Sequence, residues 1–311
     1  MASISDRLYT KNGLAARKIA GRLLSVKPGE RIPRVSDFAS ELSLGRGTVQ
    51  GALRLLEDMG AIDLEARGHL GTFLKSKDDH ALWEIAGMSQ LVGVMPLPYS
   101  RKYEGLATGL LEAFHDLDVP FNLAFMRGSK HRLDALKSGR YDFAVISGLA
   151  GELAEDQMED LHVVKRLGPY SYVSGHEIFF ADASETAIRD GMRVGIDYSS
   201  ADQYMLTSYE CRGLAVEFVE VNYMQLIDML RERKIDAAVW NKDEFRHADL
   251  LGRAPFQSER AQKLSQKVSE AVLVAESENN EVVKQRLADL SVDKVRRVQQ
   301  KVEEGRMFAR Y

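Results

Sequence analysis

Two amphipathic helical segments separated by a three-residue turn most constrain how this 311-residue chain can fold. The first begins near Ser36, a residue type that caps helices. The turn Ser43-Leu44-Gly45 follows, and the second segment runs from Arg46 to Met59. The second segment has apolar residues at i, i+3, i+4 and i+7, namely Val49, Ala52, Leu53 and Leu56. So tight a connection between two helices predicts a helix-turn-helix unit.

The flanking segments predict the remainder of a winged helix. Residues 13–26 have the apolar spacing of a first helix. Two short strands, 61–64 and 72–74, are joined by the glycine-rich stretch 65–71, which is typical of a hairpin tip. The order helix, helix, turn, helix, hairpin is that of the winged helix-turn-helix, a small α+β fold.

Polar side chains on the second helix of the pair are suited to DNA. Arg46, Gln50 and Arg54 recur every four residues and share one face. Arginine can bridge the two acceptors of guanine, and glutamine can bridge the N6/N7 pair of adenine. A face of exposed arginines can also be merely solvated, and such a domain can serve protein contacts. We predict contacts to double-stranded DNA from Arg46, Gly47, Thr48, Gln50, Arg54, Arg67 and His69.

Two glycines on the same helix, Gly47 and Gly51, are unexpected if only folding matters. Each costs roughly 1 kcal/mol of helix stability relative to alanine. Bare backbone facing DNA and tight helix packing are both sufficient explanations, and the sequence leaves the choice open.

Three stretches together resemble the GntR-type winged helix: PGERIP from Pro28, SDFASELSLGRGTVQGALRLLEDMG from Ser36, and RGHLGTFL from Arg67. The family usually has Ser-Arg before its Thr-Val pair and Arg-Glu after it. This chain has Gly45-Arg46 and Gln50-Gly51 at those places. The family's usual arginine in the first turn of the second helix aligns with Ser36, and Arg34 lies two residues earlier. The resemblance implies DNA binding and adds Arg34 and Ser36 to the predicted contacts, but these departures leave the family's preferred operator sequence in doubt.

The charge distribution supports a division of the chain. The net charge is −4 overall, yet residues 1–77 hold an excess of five cationic side chains and the remainder an excess of nine anionic ones. A basic module attached to an acidic body is typical of a nucleic-acid-binding protein with a second domain. We predict a DNA-binding domain over residues 1–77, a linker over 78–89 that can include a short helix, and an effector domain over 90–311.

The larger domain alternates strands with amphipathic helices, which predicts an α/β fold with parallel strands. Strand-like runs occur at 91–95, 121–125 and 143–146, and a weak echo follows about 94 residues later. Each half ends in the pattern Asp-x-Ala-Val, at Asp142 and again at Asp236. The strand-like residues 268–275 can cross back to the first half. The whole chain is therefore predicted as a two-domain protein, α+β followed by a two-lobed α/β domain.

Two similar α/β halves joined by crossing strands resemble the type II periplasmic-binding-protein fold, which LysR-type transcription factors reuse for sensing. A GntR-like winged helix before such a domain resembles the YhfZ family of regulators. This resemblance covers essentially the whole chain. It implies a small-molecule effector for the second domain.

Ligands of open α/β sheets bind beyond the carboxyl ends of the strands. The loops at those ends are rich in hydroxyl and amide groups, which suit carboxylate or phosphate, and Arg127 can add a bidentate clamp. Serine and asparagine there can also simply cap helices. The predicted ligand-binding residues are Tyr99, Ser100, Arg127, Ser129, Ser147, Gly148, Tyr198, Ser199, Ser200, Asn222 and Asn241.

Patterns of catalysis and of cofactor or metal binding were not found. No Gly-x-Ser-x-Gly elbow, phosphate-binding loop, dinucleotide fingerprint or metal-spaced histidine pair occurs in the sequence. Its one cysteine, Cys211, is predicted to pack in a helix rather than act as a nucleophile. We therefore expect neither enzymatic activity nor a cofactor. No signal peptide or transmembrane helix is predicted, so the expected location is the cytoplasm, with no membrane partner.

The sequence favours a transcription regulator that binds a two-fold DNA operator as a homodimer. Its second domain is expected to close on a small anionic or polar ligand and so change DNA affinity. The alternative is a binding-fold enzyme or solute receptor with a vestigial helix-turn-helix.

Overall fold

The computed structural model describes residues 10–87, 90–222, 225–244, 251–276 and 281–311. Its contacts divide the chain into two compact units. The first comprises the chain up to Leu91 together with Phe114–Phe121 and Glu281–Arg286. The second comprises Val92–Ala113, Asn122–Asn280 and Leu287–Tyr311.

The first unit contains the predicted winged helix. Its elements are α1 (Lys11–Leu23), α2 (Val35–Glu41), α3 (Arg46–Asp58), β1 (Ile62–Ala66), β2 (Thr72–Lys77) and α4 (Asp79–Ile85). The apolar faces of the first three helices form one core, because Ile19, Phe38 and Leu56 are all fully buried. Ser43 lies in the turn between α2 and α3 with a positive φ of 54°, which closes the connection tightly. The helix-turn-helix prediction is confirmed.

The start of α2 differs from the prediction in its capping residue. Arg34 occupies the N-cap, and Ser36 already lies inside the helix. The Asp37 carboxylate accepts a 2.9 Å hydrogen bond from the Arg34 backbone N–H. An acidic side chain in the first turn also complements the helix dipole. Asp37 therefore supplies the capping interaction that the sequence predicted for Ser36.

The wing is a β1–β2 hairpin supported by the chain before α2. Gly29 N–H donates to Leu74 O at 2.7 Å, and Ile32 N–H donates to Thr72 O at 3.0 Å. Gly71 at the tip has a φ of 101°, and a Cβ there would lie 2.7 Å from Arg31 Nε, so this position requires glycine. Arg31 also forms an antiparallel bridge with Phe73 of β2, which fastens this segment to the hairpin.

The predicted linker over 78–89 is largely an ordered helix. β2 extends to Lys77, and α4 follows at once with Asp78 as its N-cap. Trp83 of α4 is buried, and Arg17 Nε of α1 donates to Ala86 O at 3.1 Å. These contacts join α4 to the winged helix, while residues 88 and 89 lie outside the described part of the chain.

The remaining strands belong to two five-stranded sheets. They are β3 (Leu91–Met95), β4 (Phe121–Phe125), β5 (Phe143–Ser147), β6 (Leu161–Arg166), β7 (His176–Phe180), β8 (Arg193–Ile196), β9 (Glu217–Glu220), β10 (Ala237–Asn241), β11 (Gly252–Ala254) and β12 (Ala271–Glu276). The remaining helices are α5 (Arg101–His115), α6 (Ser129–Lys137), α7 (Gly148–Gln157), α8 (Ala201–Glu210), α9 (Leu226–Arg231), α10 (Glu259–Val268), α11 (Glu281–Asp289) and α12 (Val292–Glu303).

The two sheets have the same strand order. The first lobe has the order β4-β3-β5-β12-β6. The second lobe, read from its β9 edge, has the matching order β9-β8-β10-β7-β11. In each lobe the third strand of a parallel β/α series pairs with an antiparallel strand, β12 in one case and β7 in the other. The chain leaves the first lobe after β6 and returns to it as β12. This topology confirms the two-lobed periplasmic-binding-protein-like fold.

The repeated aspartates have the same structural role in both lobes. Asp142 Oδ2 accepts a 2.7 Å hydrogen bond from Val92 N–H, and Asp236 Oδ2 accepts a 2.8 Å bond from Arg193 N–H. Each aspartate thus ties the turn before the third strand to the start of the first strand. The echo seen in the sequence is therefore a structural device rather than a ligand site.

Candidate nucleic-acid interface and ligand cleft

The predicted DNA-reading stripe lies on the exposed face of α3. Arg46, Gln50 and Arg54 are all exposed, opposite the buried Val49 and Leu56. Within the part of the chain that the structure describes, these three side chains form no hydrogen bond or ion pair. Long arginine side chains without local partners remain available to guanine edges and phosphates.

The two glycines of α3 have different environments. A Cβ at Gly47 would meet nothing within 4 Å, whereas a Cβ at Gly51 would lie 2.9 Å from Nδ2 of Asn12 on α1. Tight helix packing therefore accounts for Gly51. Gly47 lies at the open start of α3, where its bare backbone is exposed.

The other predicted DNA contacts lie around the same helix start. Gly45, the N-cap of α3, supplies no side-chain hydrogen bond, so amides of the first turn stay available to a phosphate oxygen. Thr48 is half-buried in that turn, and Arg34 and Ser36 are exposed at the start of α2. The Ser36 hydroxyl donates to Asp37 Oδ1 at 3.3 Å.

The predicted wing-tip residues Arg67 and His69 have different surroundings. His69 is exposed in the short 3-10 turn at Gly68–Leu70. Arg67, however, is engaged by an ion pair to Glu65 at 2.6 Å, and its guanidinium lies over the Phe73 ring at 4.4 Å. These contacts hold Arg67 against its own hairpin.

The second unit contains a cleft between its two lobes with a cavity of about 60 Å³. A cavity needs about 10–15 Å³ to hold one water molecule, so this cavity has room for a small molecule. It is lined by Pro96, Tyr99, Tyr103, Arg127, Gly128, Ser129, Arg132, Tyr172, Val173, His176, Asp197, Ser200, Asp202, Gln203, Trp240 and Asn241. Since both lobes supply these residues, the cavity depends on the lobes being closed.

Several hydrogen bonds bridge the lobes beside the cavity. The Ser147 hydroxyl, at the N-cap of α7, donates to Asp202 Oδ1 at 2.5 Å. Arg127 Nη2 donates to Ser199 Oγ at 3.3 Å, and Ala201 N–H donates to Ser129 Oγ at 3.4 Å. The carboxyl ends of the first lobe's strands are thereby joined to the start of α8 in the second lobe.

The structure brings about half of the predicted ligand residues to the cavity. Tyr99, Arg127, Ser129, Ser200 and Asn241 line it. Ser147 and Ser199 lie one step behind it, since each is bonded to a lining aspartate, Asp202 and Asp197 respectively.

Four predicted residues lie outside the cavity lining. Ser100 is buried and accepts from Tyr103 N–H at 3.2 Å, and Gly148 N–H donates to Glu270 O at 2.8 Å. Tyr198 is exposed with its ring 5.7 Å from that of Tyr204, and Asn222 is exposed at the end of the second lobe's edge strand. Ser100 thus caps a helix, which is the alternative role that the sequence left open for these serine and asparagine residues.

Sequence reasoning missed several charged and aromatic residues of the lining, among them Arg132, Asp202, Tyr172 and His176. Arg132 lies one turn after Ser129 on α6, so helical spacing from the predicted Ser129 could have found it. Asp202 lies in the first turn of α8, two residues after the predicted Ser200 cap, so helical spacing from Ser200 does not find it. Tyr172 and His176 lie where the chain crosses between the lobes, and no periodic pattern points to such positions.

The cavity shifts the protonation of its titratable groups. Burial raises the pKa of Asp202 to about 6, although the Ser147 hydroxyl and the Arg132 guanidinium act in the opposite direction. Burial, with the nearby Lys242 ammonium, lowers the pKa of His176 to about 4. His176 is therefore neutral near pH 7, while Asp202 titrates near pH 6.

The described residues include neither a candidate membrane span nor a metal-binding cluster. No helix there has the length and apolar character needed to cross a bilayer. No group of three or more His, Cys, Asp or Glu side chains there could hold a metal ion. Cys211, at the end of α8, is buried, and burial raises the pKa of its thiol to about 12, in line with the predicted packing role.

Both units have relatives among known proteins. Residues 27–74 match a helix-turn-helix domain, and a 70-residue stretch is 36% identical to the HTH-type transcriptional regulator Rv1152 of Mycobacterium tuberculosis, covering 22% of this chain and 56% of that protein. Escherichia coli YhfZ is 36% identical over 242 residues, which are 78% of each chain. The crystal structure of YhfZ from Shigella flexneri superposes with a TM-score of 0.60 at 32% identity, covering 71% of this chain and 93% of that one. Residues 78–311 match the YhfZ C-terminal domain, and the chain therefore belongs to the YhfZ family.

Proposed function

We propose that this protein is a transcription regulator that binds operator DNA through α3 and a small polar effector in the cleft of its second unit. The exposed stripe of Arg46, Gln50 and Arg54 after a tight helical turn carries the proposal. The match to a helix-turn-helix domain and the likeness to a transcriptional regulator support it.

The remaining parts of the proposal concern how the regulator works. A single α3 spans only one half-site, so a homodimer on a two-fold operator is the simplest assembly. A ligand that binds the closed lobes more tightly than the open ones would shift the population toward closure. We propose the cytoplasm as the site of action, and a regulatory rather than catalytic role.

A gel shift and footprint with the DNA upstream of the protein's own gene test the proposal. We expect a protected, sequence-selective site whose affinity falls steeply with salt, because cationic side chains displace counterions from phosphates. Binding that is equally strong on unrelated DNA, or no binding at all, would rule out the regulator function.

A further inference from the structure

Three buried nitrogens without hydrogen-bond partners converge on the cleft. Within the described residues, Arg127 Nη1, Arg132 Nε and His176 Nδ1 are inaccessible to solvent and bonded to no protein atom, and all three residues line the cavity. An unsatisfied buried donor costs about 1–3 kcal/mol, and more when the group is charged. Their clustering at one cavity indicates that the two guanidinium nitrogens donate to something bound there, while the His176 nitrogen donates or accepts according to its tautomer.

The arginine side chains are held in place by their other nitrogens. Arg132 is only 2% exposed, and it donates through Nη1 to Met126 O at 2.8 Å and through Nη2 to the Tyr172 hydroxyl at 3.0 Å. Arg127 Nη2 donates to Ser199 Oγ at 3.3 Å. Both guanidinium groups are thus oriented in the closed arrangement of the lobes, and each has a nitrogen left over.

The amino end of α6 adds backbone donors to the same wall. Its N-cap, Gly128, supplies no side-chain hydrogen bond and has a φ of 74°, a conformation that favours glycine. A Cβ there would also lie 2.9 Å from Ser199 O of the other lobe. Gly128 and Ser129 line the cavity, so the positive end of the nine-residue helix faces it.

Two aspartates also line the cavity, and each already has partners. Asp197 Oδ1 accepts from Ser199 N–H at 2.9 Å and from Ser199 Oγ at 2.6 Å, and it lies 4.0 Å from Arg127 Nη2. Asp202 Oδ1 accepts from the Ser147 hydroxyl. Neither carboxylate is bonded to the unpartnered nitrogens, so the aspartates leave these nitrogens available to a ligand.

The cavity also has an aromatic wall, which adjoins Arg132 because the Tyr172 hydroxyl accepts from that guanidinium. The rings of Tyr99 and Tyr103 meet edge to face at 5.7 Å, and those of Tyr103 and Tyr172 at 5.3 Å. Such a wall suits the carbon skeleton of a ligand rather than a second charge.

We propose that Arg127, Arg132 and the amino end of α6 form a subsite for the carboxylate or phosphate oxygens of a small organic anion, whose carbon skeleton lies on the tyrosine wall. The proposal rests on the effector function above and names the chemical class of its ligand. Carboxylate and phosphate share the chemistry that these donors recognise, so the experiment separates the two sources.

The test is calorimetric titration and thermal unfolding of the full chain at pH 6 with four probes: L-lactate, its neutral analogue lactamide, inorganic phosphate and methylphosphonate. We expect at least one anion at 20 mM to raise Tm by about 2 °C or more, since a ligand of the folded state stabilises it. Lactamide should leave Tm unchanged. A carboxylate ligand is indicated if lactate binds best, and a phosphoryl ligand if methylphosphonate does.

Variants locate the binding. We expect Arg127→Gln and Arg132→Lys to weaken the titration at least tenfold, while Arg140→Gln, an exposed arginine before β5, binds as the wild type does. Arg132→Lys keeps the charge, and Arg127 is partly exposed, so a folded variant is available for each position. The proposal would be overturned if no anion raised Tm by more than 1 °C, or if both cleft variants bound the anion as tightly as the wild type.

DNA binding separates this proposal from the regulator function. Operator binding by wild-type protein together with failure of every anion would refute the subsite alone. Anion binding lost in the cleft variants, in a protein without operator binding, would support the subsite and refute the regulator function.

Discussion

The Ser147 hydroxyl donates a 2.5 Å hydrogen bond to the Asp202 carboxylate across the cleft between the lobes. Ser147 is fully buried and Asp202 is 7% exposed. The same hydroxyl oxygen accepts from Ala150 N–H at 3.0 Å, so Ser147 caps α7 while it bridges to α8. The closed arrangement of the lobes therefore depends on a buried group that can gain a proton.

The first prediction concerns pH. The folded protein holds a proton on Asp202 up to about pH 6, whereas the unfolded chain releases it near pH 4. The contribution of Asp202 to the unfolding free energy therefore falls as pH rises from about 4 through 6. Asp202→Asn removes the ionisable group and with it this loss of unfolding free energy at high pH. The Tm of the variant minus that of the wild type should therefore be larger at pH 8 than at pH 4.5.

His176 does not confound that comparison. The lowered pKa of His176 makes the unfolding free energy fall as pH decreases from about 6.5 to 4. In that range the unfolded chain binds a proton at His176 and the folded chain does not. Its contribution is the same in wild type and variant and cancels in their difference. A Tm difference that does not change with pH would contradict a raised pKa of Asp202.

The second prediction concerns the bridging hydroxyl. Ser147→Ala should lower the unfolding free energy by about 1–3 kcal/mol, since it removes a helix cap and leaves a buried carboxylate oxygen without its donor. Urea unfolding at pH 8 measures it. Ser138→Ala, which removes a hydroxyl bonded only to Ala135 O at the end of α6, is the matched control and should cost less.

The third prediction separates the two glycines of α3. Gly47→Ala should raise the unfolding free energy by roughly 1 kcal/mol, because its Cβ would enter open space. Gly51→Ala should gain less, because Asn12 must move to admit it. The same Gly47→Ala variant should bind operator DNA more weakly if that backbone approaches a phosphate. Equal stability gains at both positions would contradict the packing account of Gly51.

The fourth prediction concerns base reading. Gln50→Ala should lower the preference among operator variants by about 1–3 kcal/mol at one base pair while leaving binding to nonspecific DNA unchanged. A binding-site selection with wild type and variant measures this preference. An unchanged preferred sequence would show that Gln50 reads no base.

The sequence predicted the winged helix well because its signals are local. Helical spacing, the Ser43 turn and the glycines of the hairpin act within a few residues, and each element formed close to where it was expected. Ser36 was misplaced by two residues because Asp37, one position further on, competes for the same capping role. The closer GntR resemblance stays a prediction, whereas the helix-turn-helix assignment is confirmed.

The cleft was only partly predictable because it is assembled by long-range contacts. The rule that ligands bind beyond strand ends led to Tyr99, Arg127 and Ser129, which do line the cavity. The rule does not find Tyr172 or His176, which enter from the crossing between the lobes. The repeated Asp142 and Asp236 show the converse, since a sequence echo marked a fold-stabilising bond rather than a site.

The central claim, that α3 binds DNA through its exposed stripe, is tested most directly by salt-resolved fluorescence anisotropy on the footprinted operator. Wild type, Arg46→Ala and the exposed control Arg140→Ala would be titrated between 50 and 200 mM salt, about the range over which phosphate contacts dominate affinity. We expect Arg46→Ala to weaken binding about tenfold or more and Arg140→Ala to match the wild type. Identical affinities for all three proteins at every salt concentration would contradict the account.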